Sequence, residues 1–191
     1  GDLNSTEFAN LMSQHKSPRR ISFIKQIIMA IGKAIRGLNT IGLHYSNVTP
    51  DNVFFRALPN ARVEVGLGDF GHCRVKDYAE KGTNSRKEYY STIPCNKHFV
   101  SNDDDKRHFV SNDDNRLHFV SNDDVDSCIF HSVSNILVYL YTKYITVGQK
   151  VYRYTDLYTI PPGLAKQIRN DLGDAMYNLL DLHNYGDVPL N

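Results

Sequence analysis

From Cys128 to Tyr141 the chain reads Cys-Ile-Phe-His-Ser-Val-Ser-Asn-Ile-Leu-Val-Tyr-Leu-Tyr. Wound into a helix, this run puts Cys128, Ile129, Phe130, Val133 and every residue from Ile136 to Tyr141 nearly all round the axis, and such a helix must be buried. The rest of the chain therefore has to supply elements that cover it. His131, Ser132, Ser134 and Asn135 break the run, so it does not read as a membrane span. Gly1 to Glu7 is polar and leads into no basic-then-apolar stretch, so no secretory leader is read there.

The covering elements are visible in the spacing. Ile21, Phe23, Ile24, Ile27, Ile28, Ile31, Ile35 and Leu38 recur at helical intervals between Pro18 and Gly42, predicting an amphipathic helix over about 20–40. Its polar side carries Lys16, Arg19, Arg20, Lys25, Lys33 and Arg36 with no acid between them, a solvated face or a surface for an anionic partner. Asn52-Val53-Phe54-Phe55 and Arg62 to Leu67, separated by Leu58-Pro59-Asn60-Ala61, predict a small hairpin. After Pro161-Pro162-Gly163, the residues Leu164, Ile168, Leu172, Met176, Leu179 and Leu180 form one helical stripe, with stop signals at Asn184-Tyr185-Gly186 and Pro189. The expected class is mainly α with one small β-hairpin.

Residues 98–127 are a threefold direct repeat of ten: HFVSNDDDKR, HFVSNDDNRL and HFVSNDDVDS. Thirty residues rich in Asn, Asp and Ser are too few to bury a solenoid core, so the array is read as an expanded surface loop inserted in a single domain spanning 1–191. Longer loops are tolerated because closure entropy grows only logarithmically with length. His98, His108 and His118 repeat because the sequence is duplicated, which by itself implies no metal geometry.

Composition narrows the function. Lys and Arg number 22 against 21 Asp and Glu, for a formal charge of +1, so no global basic field marks a nucleic-acid or membrane partner. Cys73, Cys95 and Cys128 form no C-x-x-C pair and are odd in number, which points away from a disulfide framework or zinc site. Together with the lack of a leader this predicts a reducing, intracellular setting, cytoplasmic or nuclear, in which Asn4-Ser5-Thr6 and Asn47-Val48-Thr49 are not glycosylated.

The chemistry concentrates in two places. Leu43 to Phe55 contains Tyr45-Ser46-Asn47-Val48-Thr49-Pro50-Asp51-Asn52, and sixteen residues beyond Asn52 comes Gly68-Asp69-Phe70-Gly71. The order of helix, P-D-N, hairpin, D-F-G, polar loop and buried helix resembles a protein kinase catalytic loop followed by its D-F-G motif. Within kinases the chain is similar to the casein kinase 1 group, especially its tau-tubulin-kinase-like branch, expanded in nematodes. Gly1-Asp2-Leu3 with Phe8-Ala9-Asn10-Leu11, Asn96-Lys97-His98, Asp123-Asp124-Val125-Asp126-Ser127 and Leu182 to Pro189 each resemble a segment of that group.

The resemblance implies a kinase-like C-terminal lobe, with Asn52 and Asp69 at the Mg²⁺-holding positions and hence Mg²⁺ and ATP as cofactors of an active form. It implies that Asp124 opens the central helix and holds the catalytic-loop backbone, a structural task. It also exposes departures. Asn47 stands where the family has its catalytic Asp, and an amide takes no proton at neutral pH. Thr49 stands where the family has a Lys beside the transferring phosphoryl group. No G-x-G-x-x-G and no V-A-I-K-like stretch precedes the loop, so the N-terminal lobe is expected to be absent from a chain that opens without Met. The expectation is a pseudokinase that acts by binding a protein, with no nucleic-acid or membrane partner. The alternative is an ATP-dependent serine/threonine kinase whose small lobe is missing from this chain. On residue type alone, Asp69 also suits a turn and Asn52 a loop-backbone cap.

Overall fold

The computed structural model describes residues 1–45, 47–75, 93–95, 118–120, 125–146, 148–153 and 160–180. Asn96-Lys97-His98, Asp124, Leu182 to Pro189 and most of the repeat lie outside the described residues.

Five helices are described: α1 (Thr6–Ser13), α2 (Ser17–Thr40), α3 (Val125–Tyr144), α4 (Pro162–Leu172) and α5 (Asp174–Leu180). With them come short antiparallel pairs. β2 (Val53–Leu58) pairs with β3 (Arg62–Leu67), in register from Val53 opposite Leu67 to Leu58 opposite Arg62. β1 (Leu43–His44) pairs with β4 (Arg74–Val75), and β5 (Ile93–Cys95) with β6 (His118–Val120). The described protein is thus mostly helical with small antiparallel β elements.

Helix ends follow local chemistry. Ser5 caps α1, its hydroxyl accepting the Phe8 amide at 3.3 Å, with Glu7 in the first turn where a carboxylate suits the dipole. Pro18 lies in the first turn of α2, where a missing N–H costs nothing. Beyond its last turn Gly42 takes a φ of 75°, a left-handed value that favours glycine, and its amide returns to the Asn39 carbonyl at 3.1 Å. The hairpin turn bends through Asn60 and Ala61, both at positive φ.

α2 covers α3 and the hairpin at once. Phe23, Ile24, Ile27, Ile28, Ile31 and Ile35 are its buried stripe. Gln26 ties it to the hairpin, its side-chain oxygen accepting the Val63 amide at 3.0 Å and its NH₂ donating to the Ala61 carbonyl at 3.2 Å. Arg20 ties it to two other helices by donating to the carbonyls of Met12 and His15 at the end of α1 and of Tyr144 at the end of α3, at 2.6–3.0 Å. The Phe8 ring stands edge-on to Phe55 and Tyr144, with centroids 5.0 and 5.5 Å away, joining α1, hairpin and α3 in one core.

α3 is buried on every side from Ser132 to Thr142, as its sequence requires. Two of its hydroxyls are satisfied on the helix itself or on a neighbour. Thr142 donates to the Val138 carbonyl at 2.8 Å and accepts the Tyr152 amide at 3.0 Å, while the Tyr141 hydroxyl donates to Asp171 of α4. Asn135, fully buried, has no hydrogen-bond partner at either amide atom among the described residues. Among the described residues no helix is long and apolar enough to cross a membrane.

Three expectations shift. The stripe from Leu164 to Leu180 is two helices, broken at Gly173 (φ 88°), whose amide closes on the Arg169 carbonyl at 2.8 Å. α3 begins at Val125, inside the third decapeptide rather than after it. His118–Val120 of that same unit forms strand β6, so the described part of the array includes regular structure.

Candidate functional site

Beyond β1 the chain reaches an extended Thr49 and tightens into a single 3₁₀ turn at Pro50–Asn52, where the Asn52 amide meets the Thr49 carbonyl at 3.0 Å. Val48, Pro50 and Val53 point into the core and anchor the segment. The N-terminal residues brace it. The Leu3 amide lies 3.1 Å from both the Pro50 and Val53 carbonyls, and the Phe55 amide donates to the Gly1 carbonyl at 2.9 Å.

The hairpin then returns the chain. As β3 ends, the Gly68 amide donates to the Asn52 carbonyl at 2.8 Å, which lays Gly68-Asp69-Phe70-Gly71 across the loop. Gly68 allows a close approach, since a Cβ there would come within 2.4 Å of the Phe54 ring and that half-exposed ring would have to move. Asp69 adopts φ 51°, ψ 70°, a left-handed conformation that Asp tolerates better than most residues.

Hydrogen bonds weld the crossing. The buried Tyr45 hydroxyl donates to the Gly68 carbonyl and lies 3.2 Å from the Asn47 carbonyl. Burial, then the charge of Asp69 and then that of Cys73 push its pKa up to about 12, so it stays a neutral donor. The Asn52 NH₂ donates to the Asn47 carbonyl at 3.0 Å, and the Asn47 NH₂ donates to Asp69 Oδ2 at 2.8 Å. Phe70 packs on Tyr45 with centroids 5.2 Å apart, yet 48% of it remains exposed, as does 47% of Phe54.

Three of the residues singled out by sequence, Asn47, Asn52 and Asp69, are therefore one hydrogen-bonded cluster. Thr49 is half-buried beside it and is joined to it through its backbone, its carbonyl accepting the Asn52 amide, while its side chain makes no capping hydrogen bond to the turn. Asp124 lies outside the described residues. Two roles escaped the sequence. Tyr45 is the pillar under both strands of the crossing. Asp51 accepts from Asn4 Nδ2 at 2.7 Å, Asn4 Oδ1 accepts from the Tyr139 hydroxyl at 2.7 Å, and Lys143 donates to that hydroxyl at 2.6 Å, a relay running from α3 to the loop. A tyrosine inside the motif was a signal for the first; nothing local signals the second.

Chemically the cluster offers oxygen acceptors at Asn52 Oδ1 and Asp69 and an N–H donor at Asn47, but no base at residue 47. Comparison with protein-family models, with curated proteins and with solved structures finds no match in any of the three.

Proposed function

We propose that this chain is a protein-kinase-like C-terminal lobe of the casein kinase 1 type, catalytically impaired, acting as a pseudokinase that binds a protein partner. The observation that carries the reading is the hydrogen-bonded meeting of Asn47, Asn52 and Asp69. These residues come from a P-D-N loop and a D-F-G turn on either side of a hairpin, after a long helix and before a buried one in chain order. Impairment follows from residue chemistry. Losing a general base costs about 10²- to 10⁴-fold, and a threonine at 49 gives no positive charge to a phosphoryl group.

Two experiments test the reading. Radiolabelled transfer from Mg²⁺–ATP to an acidic protein substrate should give no detectable product; transfer by the unmutated chain would overturn the impairment. For the lobe itself, the resemblance assigns Asp124 to the catalytic-loop backbone. Asp124→Ala should then speed amide hydrogen exchange at Ser46 and Asn47, and unchanged exchange there would count against the kinase-like lobe. Retention of Asn52 and Asp69 favours a second reading, a serine/threonine kinase that works once joined to a small lobe. Phosphoryl transfer by a longer gene product containing that lobe would support it.

A further inference from the structure

A carboxylate only accepts hydrogen bonds, so the atom of Asn47 that stands 2.8 Å from Asp69 Oδ2 has to be its NH₂ nitrogen, and its carbonyl oxygen is not the group facing Asp69. The Asn52 NH₂ is committed to the Asn47 carbonyl, leaving Asn52 Oδ1 as an acceptor. The oxygens available to a cation are thus one amide oxygen and one carboxylate, half of which is already engaged. Facing them is an N–H₂ whose hydrogens carry positive partial charge. Mg²⁺ and Ca²⁺ need about six to eight oxygens and gain most from carboxylates. No group of three His, Cys, Asp or Glu side chains converges among the described residues. The residues of this crossing do not fit a resident divalent cation.

We propose that the Asn47 amide takes, as a hydrogen-bond donor, the place a cation would take on Asp69. Residue 47 therefore decides whether the crossing can hold a divalent ion at all. The proposal rests on the kinase-like reading only for the choice of ion, because the donor geometry stands without it. With its carboxylate satisfied internally, Asp69 keeps its left-handed backbone, and the crossing with its half-exposed Phe54 and Phe70 keeps one shape, whether or not metal is present. The surface offered to a partner is then permanent rather than switched by loading.

The test is Mn²⁺ titration of the whole chain followed by electron paramagnetic resonance, with the Asn47 side-chain NH₂ signals followed by NMR in Mg²⁺ and in chelator. The wild type should show no saturable Mn²⁺ site below millimolar concentrations, and its Asn47 NH₂ signals should be the same in both solutions. Asn47→Ala frees Oδ2 without adding charge and should bind Mn²⁺ several-fold more tightly than wild type. Asn47→Asp adds a second carboxylate and should gain about tenfold or more, a gain removed by adding Asp69→Asn. Micromolar binding by the wild type, an alanine variant no better than wild type, or an aspartate variant that folds without gaining a site would each overturn the proposal. Should like charges unfold the aspartate variant, the alanine variant and the NH₂ signals decide alone. None of these readouts uses ATP or phosphoryl transfer, so a failed kinase-like reading leaves them intact.

Discussion

α3 and the loop crossing formed by Tyr45, residues 47–52 and residues 68–71 keep their shapes by opposite means. α3 is enclosed by apolar side chains from α2, α1 and the elements after it, and the hydroxyls of Thr142 and Tyr141 are satisfied on the helix or on a neighbour. The crossing lies at the rim of that core, half-exposed, and depends on a few hydrogen bonds in which each residue holds the next. Burial distributes stability over many weak contacts, so α3 should respond to lost volume. A welded crossing should respond to single atoms and to pH. The two regions meet through Asn4, which stands between Tyr139 of α3 and Asp51 of the loop.

The largest effect should come from the enclosed side. Leu137 is fully buried on α3, and Leu137→Ala should lower unfolding free energy by about 2–5 kcal/mol, read from the urea midpoint at unchanged slope. A loss under about 1 kcal/mol would mean that α3 is not the centre of the core, and the contrast would fail at once.

Tyr45→Phe comes next and probes the crossing. At neutral pH it removes the donor to the Gly68 carbonyl and should cost about 1 kcal/mol. Its signature lies at high pH. An unfolded tyrosine titrates near 10, whereas folded Tyr45 holds its proton up to about 12, so the unfolded state binds fewer protons across that interval. The stabilising contribution is complete below pH 10 and is lost as pH rises through the folded value. Over that window wild-type stability should therefore fall more steeply than that of Tyr45→Phe, by an amount on the order of 2 kcal/mol. Parallel curves would show the hydroxyl to be solvated rather than welded.

How much of this could be read from the sequence differs between the two regions. α2 and the hairpin were readable because their periodicities are long and their boundaries are marked by Pro18, Gly42 and Pro59. α1 was not, since eight residues with only Phe8 and Met12 buried make too little of a pattern. The break at Gly173 was hidden because Leu172 and Met176 keep helical spacing across it, and only the backbone angle reveals the turn. In the crossing, motif order grouped Asn47, Asn52 and Asp69. It could not tell that an amide at 47 would turn its NH₂ on Asp69. The Asn4–Tyr139 bond spans 135 residues and arises only once α1 and α3 pack.

That bond provides the third prediction. Tyr139→Phe keeps the ring but removes the donor to Asn4, and should cost about 0.5–1.5 kcal/mol. It should also raise amide hydrogen exchange at Asn52, although residue 139 does not belong to the loop. Equal cost without that change would make the relay a property of α3 alone and would separate the two regions more sharply.

The smallest effect on stability should come from the residue with the largest effect on the site. Asn47→Ala deletes the NH₂ that faces Asp69, but the bond lies at the exposed surface, and both groups are free to hydrate once it is gone. The Asn52 bond is untouched, since it ends on the Asn47 backbone carbonyl rather than on the side chain. Tyr45 likewise binds backbone carbonyls that the substitution leaves in place. The expected change is therefore within about 0.5 kcal/mol by urea titration. A loss above about 1.5 kcal/mol would mean that the Asn47–Asp69 contact is coupled to the core, as a buried network would be. The crossing would then belong with α3, and residue 47 would be a structural amide before it is anything else.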